Sequence, residues 1–280
     1  MYQKFKNGTK KYYMIHKISG IRLTLIALFF AGVCQGQIIV GLDNWFNDET
    51  HEETGMPYHY LWTDTADSGY SRWGSIFKSK GARIITVYKP DLETLRNTHL
   101  YIIVDPDSVS ETPTPNLMTA RDISNITEWV RVGGVLVLMA NDGNHCALSD
   151  LNKLSSRFGM VFNNVTLRPV TNNNYEMGAY TGLPDHPVFK GIKKIFMKEV
   201  ASIRLSGNAT PVLTDNGQAV IAEGRYGNGF VFAVGDPWIY NEYIDHDRLP
   251  KDFENRKAAE NLTEYLLKKV EEAAKTYEQK

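Results

Sequence analysis

The residues best suited to chemistry in this sequence sit in four short polar clusters, each directly after an apolar run. Ile38-Ile39-Val40 leads into Asp43-Asn44, and Leu100-Tyr101-Ile102-Ile103-Val104 leads into Asp105-Pro106-Asp107. Val135-Leu136-Val137-Leu138-Met139 leads into Asn141-Asp142, and Phe230-Val231-Phe232-Ala233-Val234 leads into Gly235-Asp236. Carboxylates and amides of this kind can move protons or hold hydroxyl groups. The last cluster continues through Pro237-Trp238-Ile239-Tyr240-Asn241-Glu242-Tyr243. There Asp236 can orient a substrate hydroxyl, and Glu242 can act as acid or base if the surrounding rings raise its pKa. The other reading of this segment is a capping loop in which Asp236 starts a turn and Trp238 plugs the sheet.

A long loop separates Asp43 from Ser68, far above the two to six residues usual for a strand-to-helix connection. In it Trp45, Phe46, Tyr58, Tyr60 and Trp62 alternate with Asp48, His59, Asp64, Asp67 and Ser68. Rings beside carboxylates suit a sugar, whose C–H faces stack on the rings while its hydroxyls bond to the acids. The same rings can instead fold back on the sheet as a satellite core. Asp105-Pro106-Asp107 resembles the Asp-x-Asp element that holds a divalent metal in some nucleotide-sugar transferases. Two carboxylates share a hard cation only when other oxygens complete its shell, and Asp105 capping a turn stiffened by Pro106 is the preferred reading. Cys146, beside His145, lacks a tight strand-to-helix elbow and reads as an unreactive free cysteine. His51-Glu52-Glu53 lacks the second histidine of a zinc helix, His186 before Pro187 reads as a turn residue, and Gly227-Asn228-Gly229 lacks the Lys-Ser/Thr of a phosphate loop.

The elements that must position these groups alternate between strand and helix patterns from Gln37 to about Phe158. Helical spacing occurs at Tyr70, Trp73, Ile76 and Phe77, at Ile123, Ile126 and Val130, and at Leu148, Leu151, Leu154 and Phe158. Alternation of this kind implies βαβ crossovers, and an open parallel sheet places its ligands along the carboxyl edge of the strands. The expected fold is therefore α/β: an open, mostly parallel sheet with helices on both faces. A β-hairpin is expected from Ala219 to Val234 with an Asn-Gly turn, followed by an amphipathic C-terminal helix carrying Ala258, Leu262, Leu266 and Val270. No repeat or linker divides residues 37–280, which read as one domain.

The 280 residues are 42% hydrophobic, enough for a sizeable core, and carry a net charge of −1. Residues 1–36 hold six basic and no acidic residues, so that total leaves −7 on the remainder. An acidic domain without a basic stripe argues against a nucleic-acid partner. The basic start, the apolar run from Leu23 to Val33 and Cys34-Gln35-Gly36 have the layout of a secretory signal peptide, with Met14 as an alternative start. The run is too short for a bilayer, which needs roughly 20 apolar residues, so no stable membrane insertion is expected after cleavage near Gly36. The expected location is periplasmic or extracellular, with a lipid anchor on Cys34 as the competing reading. Cleavage leaves Cys146 as the only cysteine and allows no internal disulfide.

Several of these segments taken together resemble a known family. They are Leu42-Asp43-Asn44 with Phe46-Asn47-Asp48-Glu49, His59-Tyr60 with Trp62 and Asp64, Ser68-Gly69, and Tyr101 to Asp107. Gly133 to Met139 with Asn141-Asp142, and Gly235-Asp236-Pro237-Trp238 with Tyr240-Asn241-Glu242-Tyr243, complete the set. The chain is similar to an exported Bacteroidetes domain of uncharacterised function with a class I glutamine amidotransferase-like fold, found alone or joined to unsaturated rhamnogalacturonyl hydrolases. The resemblance implies a flavodoxin-like layered fold and a role in breaking down pectic or related acidic glycans. It supplies no catalytic residues. The nucleophile elbow and a late His-x-Glu pair are missing, so glutamine hydrolysis is not expected.

The leading expectation is a secreted, carboxylate-based glycan hydrolase without cofactor or metal. Asp43, Asp236 and Glu242 are its catalytic candidates. Asn44, Trp45, His59, Trp62, Asp64, Asp105, Asn141, Asp142, Trp238, Tyr240 and Asn241 are its candidates for binding an oligosaccharide or polysaccharide. The alternative is a non-catalytic glycan-binding or accessory protein working with an unsaturated uronyl hydrolase, and a third reading is metal-dependent sugar chemistry at Asp105 and Asp107. Hydrolysis requires two carboxyl groups about 5 to 9.5 Å apart in a cleft; carboxylates that only cap turns or sit in ion pairs exclude it.

Overall fold

Five-residue runs of branched and aliphatic side chains form the centre of the sheet in a computed structural model. It describes residues 36–278 apart from Glu52, Ala66, Asp67 and Asn144, and leaves the side chains of Trp238, Glu242 and 276–278 outside the description. The leader expected over residues 1–36 lies outside the described residues except for Gly36. Strands β1 (Ile39–Asp43), β2 (Arg83–Val87), β3 (Leu100–Val104) and β4 (Val135–Met139) alternate with helices α1 (Ser71–Ser79), α2 (Leu92–Arg96) and α3 (Ala120–Val132). Helix α4 (Leu148–Ser155) follows. Seven strands come next: β5 (Met160–Phe162), β6 (Ala179–Thr181), β7 (Lys194–Phe196), β8 (Ile203–Leu205), β9 (Thr210–Asp215), β10 (Gln218–Tyr226) and β11 (Gly229–Val234). Helix α5 (Asn255–Glu278) closes the chain.

The main sheet has nine strands in the order β2-β1-β3-β4-β11-β10-β8-β5, with β9 also paired to β10. Its four pairings from β2 to β11 are parallel. The four that involve β10, β9, β8 and β5 are antiparallel, and β6 and β7 form a separate antiparallel pair. The expected open, mostly parallel, flavodoxin-like sheet is thus corrected to a mixed one. The cause lies in the connections: two-residue turns join β9 to β10 and β10 to β11, and only antiparallel neighbours can be joined so tightly. The turn between β10 and β11 is Gly227-Asn228, with the positive φ of +60° on Gly227, rather than the expected Asn-Gly turn.

Alternate side chains of the parallel strands enter two separate cores. Val40, Leu42, Ile102, Val137 and Phe232 pack beneath α1 and α5 with Trp73, Phe77, Leu262 and Leu266. Tyr101, Ile103, Leu136, Leu138 and Val231 pack beneath α3 and α4 with Ile126, Trp129, Leu151 and Leu154. Helix α3 begins in a capping box, Thr119 with Asp122, and ends at Gly133 with φ +138°, which fixes where β4 can start. None of the helices among the described residues is long and apolar enough to cross a membrane.

Candidate functional site

Because β1, β3, β4 and β11 run parallel, Asp43, Asp105, Asn141, Asp142 and Asp236 come to one edge of the sheet. There they are buried, and most of their bonds are to the protein itself. Asp43 ends β1 and caps the turn after it. Its Oδ2 accepts from the N–H groups of Trp45 (3.3 Å), Phe46 (2.8 Å) and Asn47 (3.2 Å), and its Oδ1 accepts from the Tyr101 hydroxyl. Burial nevertheless pushes this carboxyl up to about 6. Asn44 ties the same turn by donating to Asn47 O at 3.0 Å.

Asp105 occupies the left-handed backbone region, φ +42°, where residues other than glycine are uncommon. Its Oδ2 accepts from Tyr60 (2.8 Å) and from Asn141 Nδ2 (2.9 Å). Burial holds its pKa well above the usual carboxylate range, with Glu111 and Glu49 adding to the shift. Asp107, two residues on, accepts at Oδ2 from Asp48 N–H (3.0 Å) and the Thr112 hydroxyl (2.6 Å), and burial raises it to about 7. Asp142 is held by His145 Nδ1 (2.6 Å) and the Thr166 hydroxyl (2.7 Å).

Asp236 is 0% exposed and accepts from Lys198 N–H at 3.0 Å. Tyr240 packs on Trp73 with ring centres 5.0 Å apart, and burial beside Asp236 raises its hydroxyl pKa. Asn241 is buried next to it. The side chains of Trp238 and Glu242 lie outside the described ones, so the third catalytic candidate has no position to report.

The long loop after β1 divides its aromatics. Phe46, Tyr60 and Trp62 are buried, and Trp62 packs against Tyr70 and Phe77 while donating to Ile85 O at 2.9 Å. Asp64 accepts from the Ser68 hydroxyl (3.1 Å), and its carbonyl accepts from Ser71 N–H at the start of α1. Trp45 stays half-buried, and His59 pairs with Glu49 at 2.9 Å.

Strand spacing limits what this edge can do. Asp43 ends β1 and Asp236 lies two residues past β11, three sheet positions away, so the strands that carry them are about 14 Å apart at roughly 4.8 Å per strand. The carboxyl groups of a glycosidase pair are about 5 to 9.5 Å apart, closer than these two strands.

The edge opens to solvent between the loops after β3 and β4. A groove of about 540 Å³ there has Leu148, Phe162 and the backbone around Cys146 as its floor, with Ser108, Lys153 and Asn164 along its rim. Two apolar rim residues are exposed, Val109 at 76% and Leu117 at 50%. Cys146 itself is buried, and burial together with the Asp105 charge pushes its thiol well up, away from the reactive thiolate. Two groups important here were not among the sequence candidates. Glu49 and Glu111 flank the buried acids and raise their pKa values. Ser108-Val109-Ser110-Glu111 has the Ser-x-x-Glu spacing of a capping box, and Glu111 does bond back to the Ser108 N–H and hydroxyl, both at 2.9 Å; that spacing was the available signal.

A family model described as a domain of unknown function, DUF4350, matches residues 63–263. The chain belongs to the DUF4350 family. No curated protein matches the chain. Among solved structures the DUF4350 chain is similar to the mmIFT52 N-terminal domain, with 15% identity and a TM-score of 0.62, covering 82% of this chain and 97% of that one. It is also similar to a cytoplasmic protein from Salmonella typhimurium, with 14% identity, a TM-score of 0.52 and coverage of 82% and 98%. A weaker likeness, TM-score 0.49 at 13% identity, links 83% of this chain to 31% of a beta-galactosidase from Rahnella sp. R3. At these identities the first two likenesses are of fold alone, and the third is too weak to carry an argument.

Proposed function

We propose that this DUF4350 protein is an exported glycan-binding accessory protein that does not itself cut the chain. In this reading it acts in the periplasm or outside the cell beside a pectin-degrading enzyme such as an unsaturated uronyl hydrolase. One observation supports the choice of binding over hydrolysis: the acids of the edge are buried in turn caps and internal hydrogen bonds, with Asp43 and Asp236 carried by strands about 14 Å apart. The groove beside them supports binding, because its apolar floor with hydroxyl, amide and ammonium groups at the rim is the mixture that sugar rings need. The residue-level resemblance to domains joined to rhamnogalacturonyl hydrolases supports pectic oligosaccharides as the ligand class.

Incubating residues 37–280 with pectic oligosaccharides, with calorimetry for binding and chromatography for products, tests this. Binding heat with unchanged oligosaccharides is the expected result. Released products that disappear in Asp236→Ala would overturn it in favour of the hydrolase.

A further inference from the structure

Two strands of the antiparallel part keep an unpaired side: among the described residues β9 pairs only with β10, and β6 only with β7. A cavity of about 480 Å³ is lined by both, through residues 179–182 and 211–216, together with Arg168 and Pro184. Met197 N–H bonds to Gly178 O, so the bonded pairs of β6 and β7 fall at Gly178 and Tyr180, and Thr181 turns its main-chain N–H and C=O away from β7. The two-residue turn Asn216-Gly217 closes on Asp215 and Gln218, so the next residue back along β9, Thr214, likewise turns its main-chain groups away from β10. Both threonines are exposed. Arg168 and Asp215 supply the charge of the lining. The Asp215 side chain is 3% exposed and the Arg168 side chain 34%, so the guanidinium is the outer partner.

We infer that this cavity binds a small hydroxylated carboxylate, the size of a single sugar acid, with the carboxylate on Arg168. A guanidinium has five N–H donors. Here Nε and one N–H of Nη2 donate to Asp215 (2.7 and 2.9 Å), and one N–H of Nη1 donates to Ala179 O (3.2 Å). The remaining N–H on each terminal nitrogen has no partner among the described residues, and two such donors match the two oxygens of a carboxylate. Asp215 occupies the Nε/Nη2 edge, so a carboxylate at the other edge lies closer to the Arg168 charge than to Asp215, and attraction prevails. The head is already fixed: it lies over the Tyr180 ring, 4.6 Å from its centre, and the Tyr180 hydroxyl donates to the same Asp215 at 3.2 Å, so little freedom is lost on binding. Arg168 is also left-handed, φ +54°, and strain of this kind clusters at ligand sites. The outward main-chain groups of Thr181 and Thr214 offer donors and acceptors to the ligand's hydroxyls, and Pro184 and Pro211 offer apolar surface to its C–H face. The cavity shares no lining residue with the groove beside Cys146, and binding here does not depend on an oligosaccharide in that groove.

Calorimetric titration of the full chain with galacturonate, and with galactose as its uncharged counterpart, tests the site. A ligand this small should bind with a Kd of about 1 mM, and galactose roughly tenfold or more weakly. Arg168→Gln should weaken galacturonate by the same factor. Because Arg168 also ties Asp215 and Ala179 in place, Thr214→Trp, at an exposed strand position, provides a second variant: it should keep the wild-type Tm, fill the cavity and remove binding. No binding heat from wild type up to about 10 mM ligand, equal affinity for galactose, or undiminished binding by either folded variant would overturn the site. Binding lost in Leu117→Asp instead would move the ligand to the groove and overturn it as well.

Discussion

At the scale of single residues, the acids of the sheet edge contribute first to the fold. Asp43 satisfies three backbone N–H groups and the Tyr101 hydroxyl at once. Asp43→Ala strands these buried donors and should cost about 3 kcal/mol or more, measurable by urea denaturation. Away from the edge, Arg168 grips Asp215 through Nε (2.7 Å) and Nη2 (2.9 Å). Those bonds hold the Asp215 carboxyl below its ordinary value of 3.8. Its contribution is therefore complete above about pH 4 and is lost as the pH falls through the lower folded value. Asp215→Asn should lower stability at pH 7 but flatten the loss below pH 4 in melts across pH 3–7; a parallel acid slope in both proteins would contradict this.

At the scale of elements, Gly235 shows how tightly the end of β11 is built. A Cβ there would lie 1.9 Å from Ala201 O, on a segment that also donates Ala201 N–H to Gly235 O. Gly235→Ala should push this segment off the strand and cost about 2–4 kcal/mol, seen as a lower denaturation midpoint. The parallel half of the sheet was legible because β3, β4 and β11 are continuous, mostly apolar runs of five or six residues, and α1, α3 and α5 announced themselves by helical spacing. Of the antiparallel half, the β10–β11 hairpin was legible and the rest was not. Strands β5, β6, β7 and β8 are three residues long, too short for any period to register. The β9–β10 hairpin did carry a signal in Asn216-Gly217, a strong hairpin marker, and both residues have positive φ. The four polar endings were legible for the same reason as their strands. Their burial was not, because it depends on how the loop after β1 folds back through Tyr60 and Trp62, and composition alone left that open.

At the scale of the whole molecule, two cores on opposite faces hold one sheet, and the parallel strands deliver acids and amides to an edge that the loops then cover. What remains open is the groove between the loops after β3 and β4, with Val109 and Leu117 standing in solvent at its rim. The proposed function places a pectic oligosaccharide in that groove. The most direct measurement is a calorimetric titration of wild type and Leu117→Asp with the same oligosaccharide, melting temperatures being compared alongside. Binding by the variant should be at least tenfold weaker, a loss of about 1.4 kcal/mol, with little change in Tm. Equal affinity in the two proteins, or no binding by wild type, would contradict it.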